Sequence, residues 1–420
     1  MRPLLQPGFQ LKNLGMLRES QDKTPSGNFR RSMMGRTWQM IRGNPGMICT
    51  LLREEYREKL GISLDRRYRH GRSGLPVSLN LDLTRRCNLK CVMCEQHRHQ
   101  PGTSGALSWY DPARELPLAA WVNLLDQVSF WRPRLYITGG EPLIYPYFPD
   151  LIREAKKRKL VIHLQTNGTL LEKAADLLVE AGVEMVTVSL DGPRAIHERI
   201  RGQKGAFNRS CQGINALVSA RGRRASPLLL INCVISKANM PFLEEMMPLA
   251  QELGADILQL QHTMFNTADN IERHNRCLSP EFARCQGLNL VLPSIPEGEY
   301  YESEATAADL RHLQAGLREV RRRANGRVRL QFFPNLPTEL LAPYYLDLNH
   351  PFPQVCQALW KGSRILPDGT VSPCLHLVAG NISQQPFREI WNGPQMRRFR
   401  RLVGQRLFPG CVRCCSRSFT

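Results

Sequence analysis

Three cysteines sit close together in the string Thr84-Arg85-Arg86-Cys87-Asn88-Leu89-Lys90-Cys91-Val92-Met93-Cys94. This spacing lets one short loop present three thiolates to a single metal cluster. A cubane 4Fe–4S cluster has four irons, so three protein ligands leave one iron open to bind and reduce another molecule. Zinc is a competing reading. Zinc sites usually take four ligands in two pairs, which the triplet fits poorly, although His97 and His99 downstream could complete one. A disulfide framework belongs to short secreted chains with an even set of cysteines, and this chain has 420 residues.

Five more cysteines fall late, at Cys356, Cys374, Cys411, Cys414 and Cys415. Between the first two, Pro367-Asp368-Gly369 is flanked by apolar residues and reads as a hairpin turn, which puts Cys374 just past the second strand. A helix over 387–399 then leads to the Cys411-x2-Cys414 pair. Four thiolates from a hairpin and a C-x2-C pair can fully ligate one 4Fe–4S cluster. A four-cysteine zinc site is the structural alternative.

The elements that must position these thiolates follow from the pattern beyond residue 77. Short β-branched or apolar runs occur at 77–83, 134–138, 161–166, 185–190, 228–235 and 256–262, separated by helical stretches at 118–131, 148–159, 170–181, 207–220 and 241–253. Strand alternating with helix predicts an α/β fold with a parallel sheet and crossover helices. Chemistry in such folds collects at the C-terminal ends of strands. The second strand ends in Gly139-Gly140-Glu141, where glycines let a ligand approach the backbone and a carboxylate can receive an ammonium group. The third ends in Asn167 and the fourth in Ser189-Leu190-Asp191. These polar groups suit ribose hydroxyls and carboxylates, and are equally ordinary turn and cap residues. Arg201 offers a bidentate partner for a carboxylate. Asn232 and His262, on the fifth and sixth strands, are weaker candidates.

The three-cysteine string resembles the cluster-binding signature of the radical S-adenosylmethionine (radical SAM) enzymes. The Gly-Gly-Glu, Thr-Asn-Gly and Ser-Leu-Asp-Gly strings are similar to that family's motifs at the same strand ends. The tail, with Pro367-Asp368-Gly369, Gly380-Asn381 and Glu389-Ile390-Trp391-Asn392, resembles the short C-terminal module called twitch, a reduced SPASM domain. Full SPASM uses seven cysteines for two clusters, and only five are present here.

The resemblance implies a partial (β/α)6 TIM-like barrel over 76–265 and a variable substrate or linker segment over 266–350. It implies a small twitch/SPASM-like cluster domain over 351–420, preceded by a basic helical extension over 1–75. It also implies S-adenosylmethionine and a 4Fe–4S cluster on Cys87, Cys91 and Cys94. An auxiliary 4Fe–4S cluster would take Cys356, Cys374, Cys411 and Cys414, with Cys415 spare or replacing Cys414. Gly139, Gly140, Glu141, Asn167, Ser189, Asp191 and Arg201 are the implied cofactor contacts. In the family an electron from the first cluster cleaves the cofactor to a 5′-deoxyadenosyl radical that abstracts hydrogen from substrate. The auxiliary cluster then accepts an electron, and a donor such as flavodoxin or ferredoxin resupplies the first.

Composition bounds the partners. The net charge is +20, and residues 1–80 hold fifteen Lys and Arg against six Asp and Glu. Arg388, Arg397, Arg398, Arg400, Arg401 and Arg406 form a second basic stretch. Such a balance attracts something acidic, or is simply a solvated basic surface. No aromatic-interleaved basic motif supports a non-catalytic metal protein that holds nucleic acid, the reading from a different class. No apolar stretch reaches the length of a membrane span, and no secretory signal is recognisable. Thirteen cysteines then point to a reducing compartment, with cytoplasm the expectation.

Residues 1–30 read as disordered. Trp38 and Ile41 fit one helical turn pair, and Met47, Ile48, Leu51, Leu52, Tyr56 and Leu60 fit a longer amphipathic face, broken from it at 43–46. Such a basic segment packs on the enzyme itself or lies on a membrane surface. The segment is short and polar for a peptide-recognition domain, and Met93 stands where peptide maturases often carry an aromatic residue. Both favour oxidation of a sugar-type small molecule or an anionic conjugate, with a peptide or protein maturase the alternative.

Overall fold

A computed structural model of the chain describes residues 46–94, 115–264, 266–291, 305–347, 350, 352, 355–374, 376–414, 417 and 418. Residues 1–30, Trp38, Ile41, His97, His99 and Cys415 lie outside the described residues.

Six strands form the centre: β1 Ser78–Asp82, β2 Arg134–Thr138, β3 Ile162–Thr166, β4 Met185–Ser189, β5 Leu228–Ile235 and β6 Ile257–His262. Each pairs in parallel with the next. All fall within a residue of the sequence expectation at either end. The helix expected over 241–253 is instead a 3-10 segment, Met240–Glu245, followed by an α-helix, Met246–Glu252. Proline inside a helix removes a backbone donor and clashes with the preceding turn, so the α-helix restarts with Pro248 in its first turn.

The sheet extends past those six strands on both sides. β7 Arg329–Phe333, from the segment read as variable, pairs in parallel with β6. β8 Val355–Cys356 stands apart and pairs with β12 Arg417–Ser418. β9 Gly362–Ile365 from the tail pairs in parallel with β1, and β10 Thr370–Ser372 and β11 Gly380–Asn381 continue antiparallel. The result is one open ten-stranded mixed sheet, a partial barrel that does not close. The helix expected over 387–399 is two, Phe387–Trp391 and Pro394–Gln405, because Pro394 can start a helix but not continue one. Arg400, counted in the basic tail, is fully buried and donates from Nε to the Leu359 carbonyl at 2.8 Å.

Alternation along the strands gives the sheet two different faces. Leu79, Leu81, Ile137, Leu164, Val188 and Ile231 face the crossover helices and join the main core. On the other face, residues at the strand starts are apolar. Met185, Leu228, Leu230 and Ile257 pack against Met47 and Leu51 of the helix Gly46–Tyr56. That helix therefore plugs the strand-start end of the half-barrel. Arg134 Nε donates to Glu54 Oε1 at 2.9 Å, and Thr50 Oγ1 donates to the Arg132 carbonyl at 2.9 Å. Across the sheet the same level is polar on the earlier strands, where Asn80, Tyr136 and His163 stand in register with Met185, and farther along β4 to β7 the face turns polar too, with Ser189, Asn232, Gln259 and Gln331 in register.

The plug runs on through a π-helical turn, Arg57–Gly61, into the helix Ile62–Tyr68. Arg57 fastens this run to the tail. Its guanidinium meets Asp65 at 2.5 Å and donates to Ser73 Oγ at 2.9 Å and to the Trp360 carbonyl at 3.0 Å. Met47 and Leu51 of the expected amphipathic face are buried, while Ile48, Leu52, Tyr56 and Leu60 are exposed. Among the described residues no helix is long and apolar enough to cross a membrane.

Candidate active site

The cysteine loop leaves β1 at its C-terminal end. Cys91 is buried, and Cys87 and Cys94 are half-buried against a small cluster of Leu89, Cys91 and Ala206. Burial pushes the Cys87 thiol up to about 11, and the nearby Glu141, Cys91 and Cys94 add to it. The three sulfurs thus sense one another. Thiols gathered where they resist ionisation alone are suited to a metal centre, whose positive charge reverses that cost.

Backbone contacts grip the loop from both sides. On one side the Gly140 amide donates to the Thr84 carbonyl at 2.7 Å, and the Glu141 amide to the Arg86 carbonyl at 2.9 Å. Gly139 has φ +138°, and a Cβ on Gly140 would lie 2.3 Å from the Arg86 carbonyl oxygen. The close approach that the glycines permit is made here by the cysteine loop itself. On the other side the Val92 amide donates to the Ile200 carbonyl at 2.9 Å, at the end of the helix Arg194–Arg201.

Glu141 is fully buried and its carboxylate is occupied. Oε1 accepts from Thr166 Oγ1 at 2.8 Å and from the Leu143 amide at 3.2 Å, and Oε2 accepts from the Asn167 amide at 2.8 Å. Burial still pushes its pKa up to about 7. The carboxylate thereby sets the end of β3. Asn167 Nδ2 donates to Asn88 Oδ1 at 2.9 Å and stands 3.9 Å from the Cys87 sulfur, while Asn88 Nδ2 donates to Thr169 Oγ1 at 2.8 Å.

Arg201 approaches from the other flank. Its Nη1 donates to the Cys91 sulfur at 3.6 Å, and its Nε lies 2.7 Å from Asp191 Oδ2. Burial opposes its charge, but Asp191 and Cys91 outweigh that and hold its pKa above the ordinary range. Asp191 is fully buried and Oδ1 accepts from the Val234 amide at 3.1 Å, so its carboxylate is engaged by the protein. Ser189 ends β4 in register with Asn232 on the polar face. Asn232 belongs to an amide ladder: Gln331 Nε2 donates to Gln259 Oε1 at 2.6 Å, Gln259 Nε2 to Asn232 Oδ1 at 2.8 Å, and Asn232 Nδ2 to Gln261 Oε1 at 3.0 Å. His262 is buried, shares a hydrogen bond with the Tyr345 hydroxyl at 2.8 Å, and is pushed down to about 3 by burial.

Several neighbours of the loop were not foreseen. Arg86 pairs with Glu115 at 2.9 Å, and Thr84 Oγ1 also donates to Glu115. Arg364 of β9 donates from Nε to Asp82 Oδ2 at 2.7 Å, so the tail reaches the root of the cysteine loop. These partners are 282 residues apart, and nothing local announces the pair.

In the tail, loss of hydration raises the Cys374 thiol, and Cys411, Cys356 and Cys414 raise it further, so these four also sense one another. The Cys374 sulfur accepts from the His376 amide at 3.5 Å. The His376 ring lies 4.1 Å from that of His274, whose Nδ1 accepts from the Gly410 amide at 3.2 Å. Between Cys411 and Cys414, buried Arg413 donates to the carbonyls of Tyr344 at 2.9 Å and Asp347 at 2.7 Å. Among the described residues no group of three or more His, Cys, Asp or Glu converges as around a single metal ion.

Known proteins resemble this chain in sequence and in fold. The model of the radical SAM superfamily matches residues 81–260, and that of the SPASM iron–sulfur cluster-binding domain matches residues 356–415. The AdoMet-dependent heme synthase of Methanosarcina barkeri is 29% identical over 342 residues, covering 78% of this chain and 84% of that protein. The PqqA peptide cyclase of Ruegeria pomeroyi is 29% identical over 354 residues, covering 81% of this chain and 80% of that protein. The crystal structure of Streptococcus suis SuiB bound to S-adenosylmethionine superposes with a TM-score of 0.55 at 16% identity, over 81% of this chain and 70% of SuiB. From the loop, the clamps and these matches it follows that the chain is an enzyme of the radical SAM superfamily with a C-terminal SPASM domain, a class that works with 4Fe–4S clusters and S-adenosylmethionine.

Proposed function

We propose that Cys87, Cys91 and Cys94 hold the cluster that takes S-adenosylmethionine, and that Cys356, Cys374, Cys411 and Cys414 hold a second, fully ligated one. When bound, these groups supply reductive cleavage of S-adenosylmethionine, hydrogen abstraction from an unactivated carbon, and an acceptor for the electron the substrate gives up. The rest falls to the chain. Gly140 and Glu141 fix the loop through their amides, and Asn167 and Arg201 aim donors at the sulfurs of Cys87 and Cys91. Asp191 holds the Arg201 guanidinium in place, a positioning contact for any carboxylate that Arg201 receives.

The substrate proposed is a polar, anionic small molecule, oxidised against the amide-lined sheet face. The observation that carries this is the division of that face, dry where Met47 and Leu51 plug it and amide-lined above. A charge of +20 favours an acidic ligand. An external flavodoxin or ferredoxin is the proposed electron donor. Peptide maturation is the second reading, favoured by the relative that is a peptide cyclase and by SuiB solved with its precursor peptide SuiA.

The test starts from anaerobically reconstituted protein with dithionite. Wild type should carry about eight irons per chain, as two cubanes require, and form 5′-deoxyadenosine. Cys91→Ala should abolish that product, and cleavage retained in the variant would end the reading. Extract from cells grown in heavy water, split into small-molecule and peptide pools, then separates the substrates. Deuterium reaching 5′-deoxyadenosine from the peptide pool alone would select the second reading.

A further inference from the structure

The helical run that plugs the half-barrel has an outer side that no other described residue covers. Ile48, Leu52, Tyr56, Leu60, Leu64 and Tyr68 recur at every fourth residue, and all six are among the eleven large hydrophobics exposed in the described structure. A plain α-helix would turn such a row by about 40° at each step, since 3.6 residues complete a turn. The π-helical turn Arg57–Gly61 winds less per residue and offsets part of that drift. The outcome is an apolar ridge about 30 Å long, from 1.5 Å of rise per residue, that winds gradually along the run.

The charges around it are sorted. All four acids of residues 46–72 are paired with cations: Glu54 with Arg134, Glu55 with Lys59, Glu58 with Lys361, and Asp65 with Arg57 and Arg69. Arg67, Arg69 and Arg72 are exposed beside the ridge, and Arg67 lies over the Tyr68 ring. A ridge rather than a groove, with bulky apolar residues between basic ones, is the form of a helix that lies in a lipid interface.

We propose that this ridge docks the enzyme peripherally on an anionic lipid surface, with Ile48 to Tyr68 in the headgroup boundary and Arg67 and Arg72 on acidic headgroups. Electrostatics argues against the other occupants. A second copy would bring another chain of charge +20 against the same basic strip. Residues 1–45 carry eight Lys and Arg against two Asp and Glu, so they too are repelled. The geometry suits a docked enzyme, because the plug sits at the strand starts and the cysteine loop at the opposite strand ends. The loop then faces away from the bilayer.

Cosedimentation of the full-length, reconstituted protein with vesicles tests this without reference to turnover. Phosphatidylcholine vesicles are compared with phosphatidylcholine vesicles containing phosphatidylglycerol. Wild type should partition to the second kind, and added salt should weaken it. Leu60→Ser with Leu64→Ser should lower the partition coefficient about a hundredfold, roughly tenfold per leucine. Arg67→Glu with Arg72→Glu should lower it at least about tenfold on acidic vesicles. Circular dichroism and iron content should be unchanged in both variants. Wild type left in the supernatant with both vesicle kinds at low salt overturns the proposal. So does undiminished binding by the leucine variant. Sedimentation velocity without lipid covers the rival: a dimer that Leu60→Ser with Leu64→Ser splits would make the ridge an interface between copies and overturn lipid docking.

Discussion

Cys87, Cys91 and Cys94 come from one loop, whereas Cys356, Cys374, Cys411 and Cys414 come from three separate stretches of the tail. A short loop has no core of its own, so its shape is imposed from outside by the Gly140, Glu141 and Ile200 backbones and the Asn167 amide. The tail set rests on its own buried Phe387, Trp391, Phe399 and Phe408, and Arg413 ties it to the carbonyls of Tyr344 and Asp347 in the preceding segment. Their surroundings differ in kind as well. Arg201 and Asn167 direct polar groups at the first set, beside an amide-lined face, while the second has a Cys374 thiol raised by burial and a tilted pair of histidine rings.

That contrast can be broken in graded ways. Asp191→Asn should have the largest effect, because it strands the buried Arg201 charge at a cost of about 4 kcal/mol. Chemical denaturation should show the loss, and iron should leave the first site before the second. Simultaneous loss of both clusters would mean the two regions are one cooperative unit. Arg413→Met should act on the other side. Carbonyls of Tyr344 and Asp347 lose their donor, costing about 3 kcal/mol, and iron should fall to about half while 5′-deoxyadenosine formation persists.

Gly140→Ala sharpens the role of the clamp. Its Cβ would lie 2.3 Å from the Arg86 carbonyl oxygen, so the loop must shift. A displacement near 1 Å should slow cofactor cleavage about a hundredfold, measured as 5′-deoxyadenosine under saturating dithionite. Unchanged rates would show that the clamp is dispensable. The smallest effect concerns neither cluster directly. His262 takes a proton only near pH 3 when folded, against 6.5 when free. Its contribution is therefore full above pH 6.5 and declines as acid favours the unfolded chain, by about 2 kcal/mol at pH 5. Denaturation midpoints of wild type and His262→Gln at pH 7 and pH 5 should differ in slope by that amount.

How much of this was readable in the chain depended on distance along it. The six central strands and the first cysteine set are local patterns, and each strand lies within a residue of where alternation put it. Gly139, Gly140 and Glu141 were legible as a special turn, but the chain could not say that the cysteine loop itself presses on it. Asp191 looked available for a ligand because its partner, Arg201, comes from the next helix. β9 was legible as the first arm of the hairpin at Asp368-Gly369, but its pairing with β1 was not, and β7, Arg-Leu-Gln-Phe-Phe, escaped notice because it lacks a run of β-branched residues. The amphipathic run at residues 47–60 was visible as periodicity, yet its division into a buried side and an exposed one depends on what lies beneath it.

The pairing of β9 with β1 bears on how the protein is made. During synthesis β1 and its cysteine loop leave the ribosome early, but the strand that covers β1's free edge comes 284 residues later in the chain of 420. Until then β1 is an open edge, able to recruit other strands, and contacts of such sequence separation form slowly. The same interval leaves the root of the loop unlocked, because Arg364 has yet to reach Asp82. Insertion of the first cluster thus has a natural window before the tail folds, and the tail closes it by completing the sheet.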